Sequence, residues 1–229
     1  MKKNILKNRL IIGAVVLTIL AIGVVLFLNW KNESTPEQET EVLKVEQYNV
    51  DFKENIFASN VELQLLKEIG ICDSTKVNDE MGACSPKYFK FFPLSKSKPL
   101  KDGFILLING LAFADPDAKF PVRRTLIFER ESGVLVAVNK FKGNIIERRQ
   151  IKGSNYDDIV IRFRLDQYNE KYHVVYSWKQ NRYQFNRCEE LVYFDYDKKK
   201  FVGGRVLKAK QDSVSKEVEK ILIEEQLVF

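Results

Sequence analysis

An uninterrupted apolar run near the N-terminus is the strongest feature of the hydrophobic pattern. From Leu10 to Leu28 the chain contains no charged residue, and Trp30 follows two positions later. About 20 apolar residues in a helix cross a hydrocarbon core of roughly 30 Å with every backbone amide satisfied. The pattern therefore predicts a single transmembrane helix over residues 10–30.

The charges on the two sides of this run differ. Four basic residues, Lys2, Lys3, Lys7 and Arg9, precede it, and four acidic ones follow: Glu33, Glu37, Glu39 and Glu41. The basic side of a membrane span stays in the cytoplasm. Residues 1–9 are therefore predicted to be cytoplasmic and the C-terminal domain to lie outside, in the periplasm or at the cell exterior.

A cleaved signal peptide is the alternative for the same run. Signal peptides have apolar regions of about 7–15 residues and a small-residue cleavage site. Residues 28–31 offer no such site, so an uncleaved signal anchor is favoured. Residues 31–46, polar, acidic and containing Pro36, are typical of a solvated linker. Residues 47–229 then suffice for one extracytoplasmic domain with its own core.

The hydrophobic pattern of this domain changes from helical to alternating. Ser59 and Glu62 form a capping box ahead of Leu65 and Leu66, which predicts a short helix ending at Gly70. In most of the later sequence, turn residues separate short segments whose pattern favours strands. They are residues 104–113, 124–130, 134–141, 144–152, 159–166, 172–178, 183–185, 191–196 and 201–207.

The clearest alternation is in residues 159–166, where apolar and polar side chains occupy opposite faces. Residues 213–226 return to helical spacing. Because sequential hairpins pair antiparallel, the predicted class is α+β: a mainly antiparallel sheet, an open barrel or curved sheet, with a helix near each end. A β-sandwich is the alternative.

Composition limits the chemistry of the chain. The formal net charge of +6 comes from 37 basic and 31 acidic residues, which is too mild and too mixed for a nucleic-acid-binding domain. Cys72 and Cys84 flank a polar loop and are a candidate disulfide outside the cytoplasm; two unpaired thiols are the alternative. Cys188 is expected to be a buried thiol, with a bridge to one of the others as its alternative.

Arginines near aromatic residues on predicted strands are candidates for ligand binding. If their faces align, they can hold an anionic ligand. A solvated face with glutamate partners is the competing interpretation. The candidate residues are Arg123, Arg124, Arg162, Arg164, Tyr176 and Trp178.

No catalytic, cofactor or metal site is predicted, because the single histidine, His173, lacks an identifiable nucleophile and the cysteine spacings do not suit zinc. The sequence therefore favours a membrane-anchored, non-catalytic binding domain for a protein partner or an anionic envelope polymer. The alternative is a small anchored enzyme acting on a sugar or phosphate substrate. Its acids would be Asp157 and Asp158, or Asp115 and Asp117.

Overall fold

The computed structural model describes residues 41–72, 84–110, 122–165 and 169–229. The predicted transmembrane helix, residues 10–30, lies outside these ranges, as do the predicted cytoplasmic N-terminus and most of the linker. Within the described ranges, no helix combines the length and the apolar character needed to span a bilayer.

Strands make up most of the described chain. Two α-helices accompany them in the described ranges, α1 (Asn60–Glu68) and α2 (Gln211–Glu224), with a short 3₁₀ helix at Lys208–Lys210. The strands are β1 (Val42–Gln47), β2 (Phe89–Pro93), β3 (Gly103–Ile108), β4 (Arg124–Glu131), β5 (Val134–Phe141), β6 (Gly143–Ile151), β7 (Asp158–Leu165), β8 (Glu170–Lys179), β9 (Arg182–Asp195) and β10 (Lys200–Arg205).

These strands form two antiparallel sheets. The six-stranded sheet has the order β1-β6-β7-β8-β9-β10, and the four-stranded sheet has the order β2-β3-β4-β5. One sheet curls into a half-barrel, and helix α2 lies near the C-terminus. The prediction of a mainly antiparallel sheet with a C-terminal helix is therefore confirmed. Residues 183–185 and 191–195, predicted within two separate strands, belong to the single long strand β9.

Strand β1 differs from the sequence prediction. The predicted linker extends to residue 46, but Val42–Gln47 pairs with β6 at the edge of the six-stranded sheet. All six of its residues are exposed. Because this edge strand buries neither face, its sequence needs no strict alternation of apolar and polar residues. This explains why the sequence resembles that of a linker.

Strand β3 lies between two hydrophobic cores. Phe104 and Leu106 face a core that also contains Leu65 and Leu66 of α1, whereas Ile105 faces the second core. A strand buried on both faces has a continuously apolar sequence. This explains why residues 104–108, at the start of the predicted strand 104–113, are apolar without interruption.

The second core joins the two sheets and α2. Ile161 and Val174 of the six-stranded sheet pack there with Ile127 of the four-stranded sheet and with Val218 and Leu222 of α2. One face of the six-stranded sheet is therefore buried in this core, and the opposite face is left for other interactions.

Candidate functional site

The six-stranded sheet carries charged side chains on the face that points away from the second core. Ile159, Ile161 and Phe163 of β7 lie in that core, so the alternating residues Arg162 and Arg164 point to the opposite side. Cross-strand pairing extends this arrangement to the neighbouring strands. We call this surface the polar face; its charged members include Glu147, Arg149, Asp158, Arg162, Arg164, Lys171, His173, Arg187, Glu189 and Glu190.

One half of the polar face has matched charges. Arg149 donates from Nη1 and Nη2 to the two carboxylate oxygens of Glu189 at 2.7 and 2.6 Å. Arg187 donates to Glu189 as well, at 2.6 and 2.8 Å. Burial raises the pKa of Glu189, but the two arginines outweigh burial and lower the pKa overall. This half is therefore a closed ion-pair network.

The other half is organised around His173. Arg162 donates from Nε to Nε2 of His173 at 2.9 Å, and Nδ1 of His173 lies 2.8 Å from Oε2 of Glu190. Because Arg162 can only donate, Nε2 must accept, and the proton of the neutral ring lies on Nδ1. Burial, followed by the charge of Arg162, lowers the pKa of His173, against the opposing effect of Glu190.

Positive charge accumulates next to this histidine. The pKa of Lys171 is lowered by burial and then by repulsion from Arg162 and Arg164. The pKa of Arg162 is lowered by burial, with a contribution from Arg123. The pKa of Lys90 is lowered by burial and also by Arg123. We call these five side chains the basic cluster.

Several members of the basic cluster are held in place. Lys171 lies with Nζ 3.5 Å from the ring centroid of Phe201. Arg123 donates from Nη1 to the carbonyl of Val50 at 2.9 Å. The carboxylate of Asp51 opposes the charges of Lys90 and Arg123, and Glu190 opposes that of Arg162. The cluster therefore contains carboxylates beside Lys90, Arg123 and Arg162, while Arg162 and Arg164 lie close enough to Lys171 for their charges to lower its pKa.

The predicted ligand-binding residues lie in three different places. Arg123, Arg162 and Arg164 belong to the basic cluster. Tyr176 lies in the second core with 2% of its surface exposed. The ring of Trp178 stacks on Tyr156 at a centroid distance of 4.2 Å and packs against the same core. Arg124 is the exposed first residue of β4.

Three residues of this region were not among the predicted ones. Lys171 pairs with Arg164 in the β7–β8 register, and a hairpin drawn from the sequence could have placed them together. Lys90 and Glu190 come from β2 and β9. No local pattern connects Lys90 to Arg123 or Glu190 to Arg162, because only the tertiary fold brings each pair close.

The acids of the alternative enzyme hypothesis do not converge within the described residues. Asp157 accepts from Arg148 Nε at 2.5 Å and is 3% exposed. Asp158 lies on the polar face, where burial raises its pKa against the effects of Ser177 and Arg187. These consecutive carboxylates therefore have separate partners. Residues 115 and 117 lie outside the described residues.

The cysteines occupy distinct environments. Cys72 and Cys84 form a disulfide with their Cα atoms 5.1 Å apart. Cys188 is a free, buried thiol whose pKa is raised by burial to about 11. In the described parts of the chain, no group of three or more His, Cys, Asp or Glu side chains is arranged to hold a metal ion.

No protein-family model, curated protein or solved structure matches this chain. The basic cluster and its surroundings are therefore the basis for a functional proposal.

Proposed function

We propose that this chain is a membrane-anchored binding domain that holds an anionic partner on the basic cluster. Residues 10–30 would anchor it, and the domain from residue 47 onward would lie in the periplasm or at the cell exterior. The observation that carries the proposal is the closeness of three cations, since Lys171 pairs with Arg164 across β7 and β8 and its pKa is lowered by Arg162 and Arg164. On the other half of the polar face, Arg149 and Glu189 form an ion pair.

An anionic envelope polymer fits this cluster better than a single small anion. Residues two apart on a strand, such as Arg162 and Arg164, are separated by about 6.6 Å along the chain. Lys171 faces Arg164 across the β7–β8 pair. Charges spaced over two strands suit a ligand with repeated negative groups, and an acidic protein surface is the second candidate.

Binding of a model polyanion tests the proposal. The purified full chain in detergent micelles would be titrated with polyphosphate and, separately, with poly-L-glutamate. The triple variant R162Q/R164Q/K171Q should bind at least about tenfold more weakly than the native chain, which corresponds to about 1.4 kcal/mol. Raising the salt concentration should weaken native binding as well, because exposed charges are screened.

A matched control distinguishes binding at the basic cluster from attraction by the net charge of the protein. The variant K101Q/K216Q/K220Q removes the same number of charges at exposed positions elsewhere, and it should bind like the native chain. Equal losses in the two triple variants would mean that net charge, not the cluster, attracts the polyanion. Stronger binding of poly-L-glutamate than of polyphosphate would favour the protein partner.

The location of the domain needs a separate test. A reporter enzyme that is active only outside the cytoplasm, fused after Phe229, should be active in cells. Activity of a cytoplasm-only reporter at the same position would contradict the proposed orientation, whatever the result of the binding experiment. Recovery of the mature chain without residues 1–30 in a soluble fraction would support the signal-peptide alternative instead.

A further inference from the structure

A cavity of about 550 Å³ opens between the end of β1 and the edge of β2. Of the basic cluster, Lys90 lines this cavity, whereas Arg162, Arg164 and Lys171 do not. We call it the β2 notch. Its lining comes from three segments: Glu46 to Asn49, Asn55 to Ala58 and the whole of β2, with Glu62 and Arg148.

The notch lies along a strand edge that the four-stranded sheet leaves unpaired. Among the residues that the structure describes, strand β2 pairs with β3 on one side only. On the other side, the carbonyl of Phe89 accepts from Asn55 Nδ2 at 2.8 Å, and the carbonyl of Pro93 accepts from Arg148 Nη1 at 3.5 Å. Alternate residues of an antiparallel strand direct their backbone groups to the same side.

Phe91 therefore directs its N–H and C=O towards the notch. In the described part of the chain, neither group has a backbone partner outside the β2–β3 ladder. Pro93 lacks an N–H, and proline is tolerated at such an edge. The edge thus presents one donor and one acceptor between two carbonyls that side chains already occupy.

Two buried polar atoms at the notch also lack partners. Within the described residues, Nη2 of Arg148 and the hydroxyl of Tyr48 are buried without a hydrogen bond of ordinary geometry, although the two side chains lie close enough for each to shift the pKa of the other. Arg148 is only 9% exposed. Burial raises the pKa of Tyr48 to about 12, so its hydroxyl remains available as a donor. Buried donors of this kind require an acceptor.

The charges of the lining indicate the class of ligand. Glu46 and Glu62 line the notch with Lys90 and Arg148, and Arg148 is already paired with Asp157. Charges of both signs therefore face the notch, and no cluster of one sign is present among its described lining residues to select an ion. Aromatic rings of Phe57 and Phe92 also line it. We propose that the notch binds a short, extended, uncharged segment of a protein partner, which adds to β2 as a further strand. Its backbone would pair with Phe91, and one of its carbonyls would accept from Arg148 and Tyr48.

A backbone-modified probe tests this proposal without changing the protein. A fluorescein-labelled pentapeptide, Val-Thr-Val-Thr-Val with an amidated C-terminus, would be titrated into the full chain in micelles and followed by anisotropy. Two further probes would be compared: one N-methylated at residues 2 and 4, which blocks one edge of the strand, and one N-methylated at residues 1 to 5, which removes the strand N–H donors of both edges. The first should bind like the parent, and the second should bind at least about tenfold more weakly.

Hydrogen exchange locates the binding site. The amide of Phe91 should exchange more slowly when the parent peptide is added, because it gains an acceptor. The amide of Phe92, which belongs to the β3 side of the strand, should not change. Tyr48→Phe should weaken binding, whereas Tyr193→Phe, at an exposed position of β9, should not.

Three outcomes would overturn the proposal. They are equal binding of all three probes, no saturable signal up to about 1 mM peptide, and binding without protection of the Phe91 amide. Each of these is independent of the polyanion experiment, because R162Q/R164Q/K171Q leaves every residue of the notch unchanged.

Discussion

Arg162 and His173 share one hydrogen bond, from Nε of the arginine to Nε2 of the histidine at 2.9 Å. The bond exists only while the imidazole is neutral, because a protonated ring would place two donors against each other. Glu190 holds the other ring nitrogen at 2.8 Å. The histidine therefore connects the charge of the basic cluster to pH.

Stability should fall as the pH falls below about 6.5, the ordinary pKa of histidine. The folded state lowers the pKa of His173, so in this range the unfolded chain binds more protons and becomes favoured. At pH 8 both states carry a neutral ring and the histidine has no such effect. His173→Gln should lose less stability than the native chain between pH 8 and pH 5, measured by urea unfolding. Parallel losses in the two proteins would contradict this assignment.

Gly203 should affect the same histidine through Glu190. A Cβ at Gly203 would lie 2.5 Å from Oε1 of Glu190, whereas one at Gly204 would have 3.9 Å to its nearest neighbour. Gly203→Ala therefore displaces a carboxylate that raises the pKa of His173, and this pKa should fall further. Because the chain has one histidine, its imidazole proton resonances report the titration directly.

Gly204→Ala is the matched control for this substitution. It adds the same methyl group one residue along β10, and the titration of His173 should remain as in the native chain. A shift of equal size in both variants would mean that the methyl group acts through β10 itself. No shift in Gly203→Ala would mean that Glu190 does not hold the histidine.

The alternation of β7 and its neighbours was sufficient to predict the antiparallel sheet. Ile159, Ile161 and Phe163 require one buried face, and this requirement alone places Arg162 and Arg164 on the other. The same rule could have removed Tyr176 from the ligand-binding set, because its register pairs it with Ile159. Alternation thus identifies a face without showing which charges on it are already paired.

The remaining features depend on contacts between distant segments. Arg149 is neutralised by Glu189, 40 residues away, and no local pattern indicates that pairing. Lys90 joins the basic cluster from the four-stranded sheet, and β1 joins the six-stranded sheet without a buried residue. Such long-range pairings follow from how the two sheets pack on a shared core.

The buried ion pair of Arg148 and Asp157 should be essential for stability. Asp157 Oδ2 accepts from Arg148 Nε at 2.5 Å, and their side chains are 4% and 10% exposed. Asp157→Ala leaves the guanidinium buried without this partner, which should lower the free energy of unfolding by about 3–5 kcal/mol. Urea unfolding of the native and variant chains measures the loss.

An exposed pair provides the comparison for this variant. Glu41 and Lys152 approach to 2.7 Å, with side chains 62% and 64% exposed. Glu41→Ala should change stability by less than about 0.5 kcal/mol, because solvent screens an exposed pair. Similar effects of the two alanine variants would show that Arg148 finds another partner or reaches water when Asp157 is removed.

The disulfide between Cys72 and Cys84 should stabilise the domain and leave one thiol to react. The bridge joins residues separated by 12 positions, and closing a loop of this size contributes about 3 kcal/mol in the chain-entropy model. C72S/C84S should therefore unfold at a lower urea concentration than the native chain. Cys188 should resist alkylation in the folded chain, because it is 0% exposed and burial raises its pKa to about 11.

Counting the thiols that react separates the disulfide from its alternatives. The chain has three cysteines, so denatured protein should label once before reduction and three times after it, as read by mass spectrometry. Peptide mapping should find the single label on Cys188. Three labels without reductant would mean that Cys72 and Cys84 are unpaired thiols, whereas one label on Cys72 or Cys84 would mean that Cys188 takes part in the bridge. In either case the loss of stability expected for C72S/C84S would need another cause, because the loop between its two positions would not be closed in the native chain.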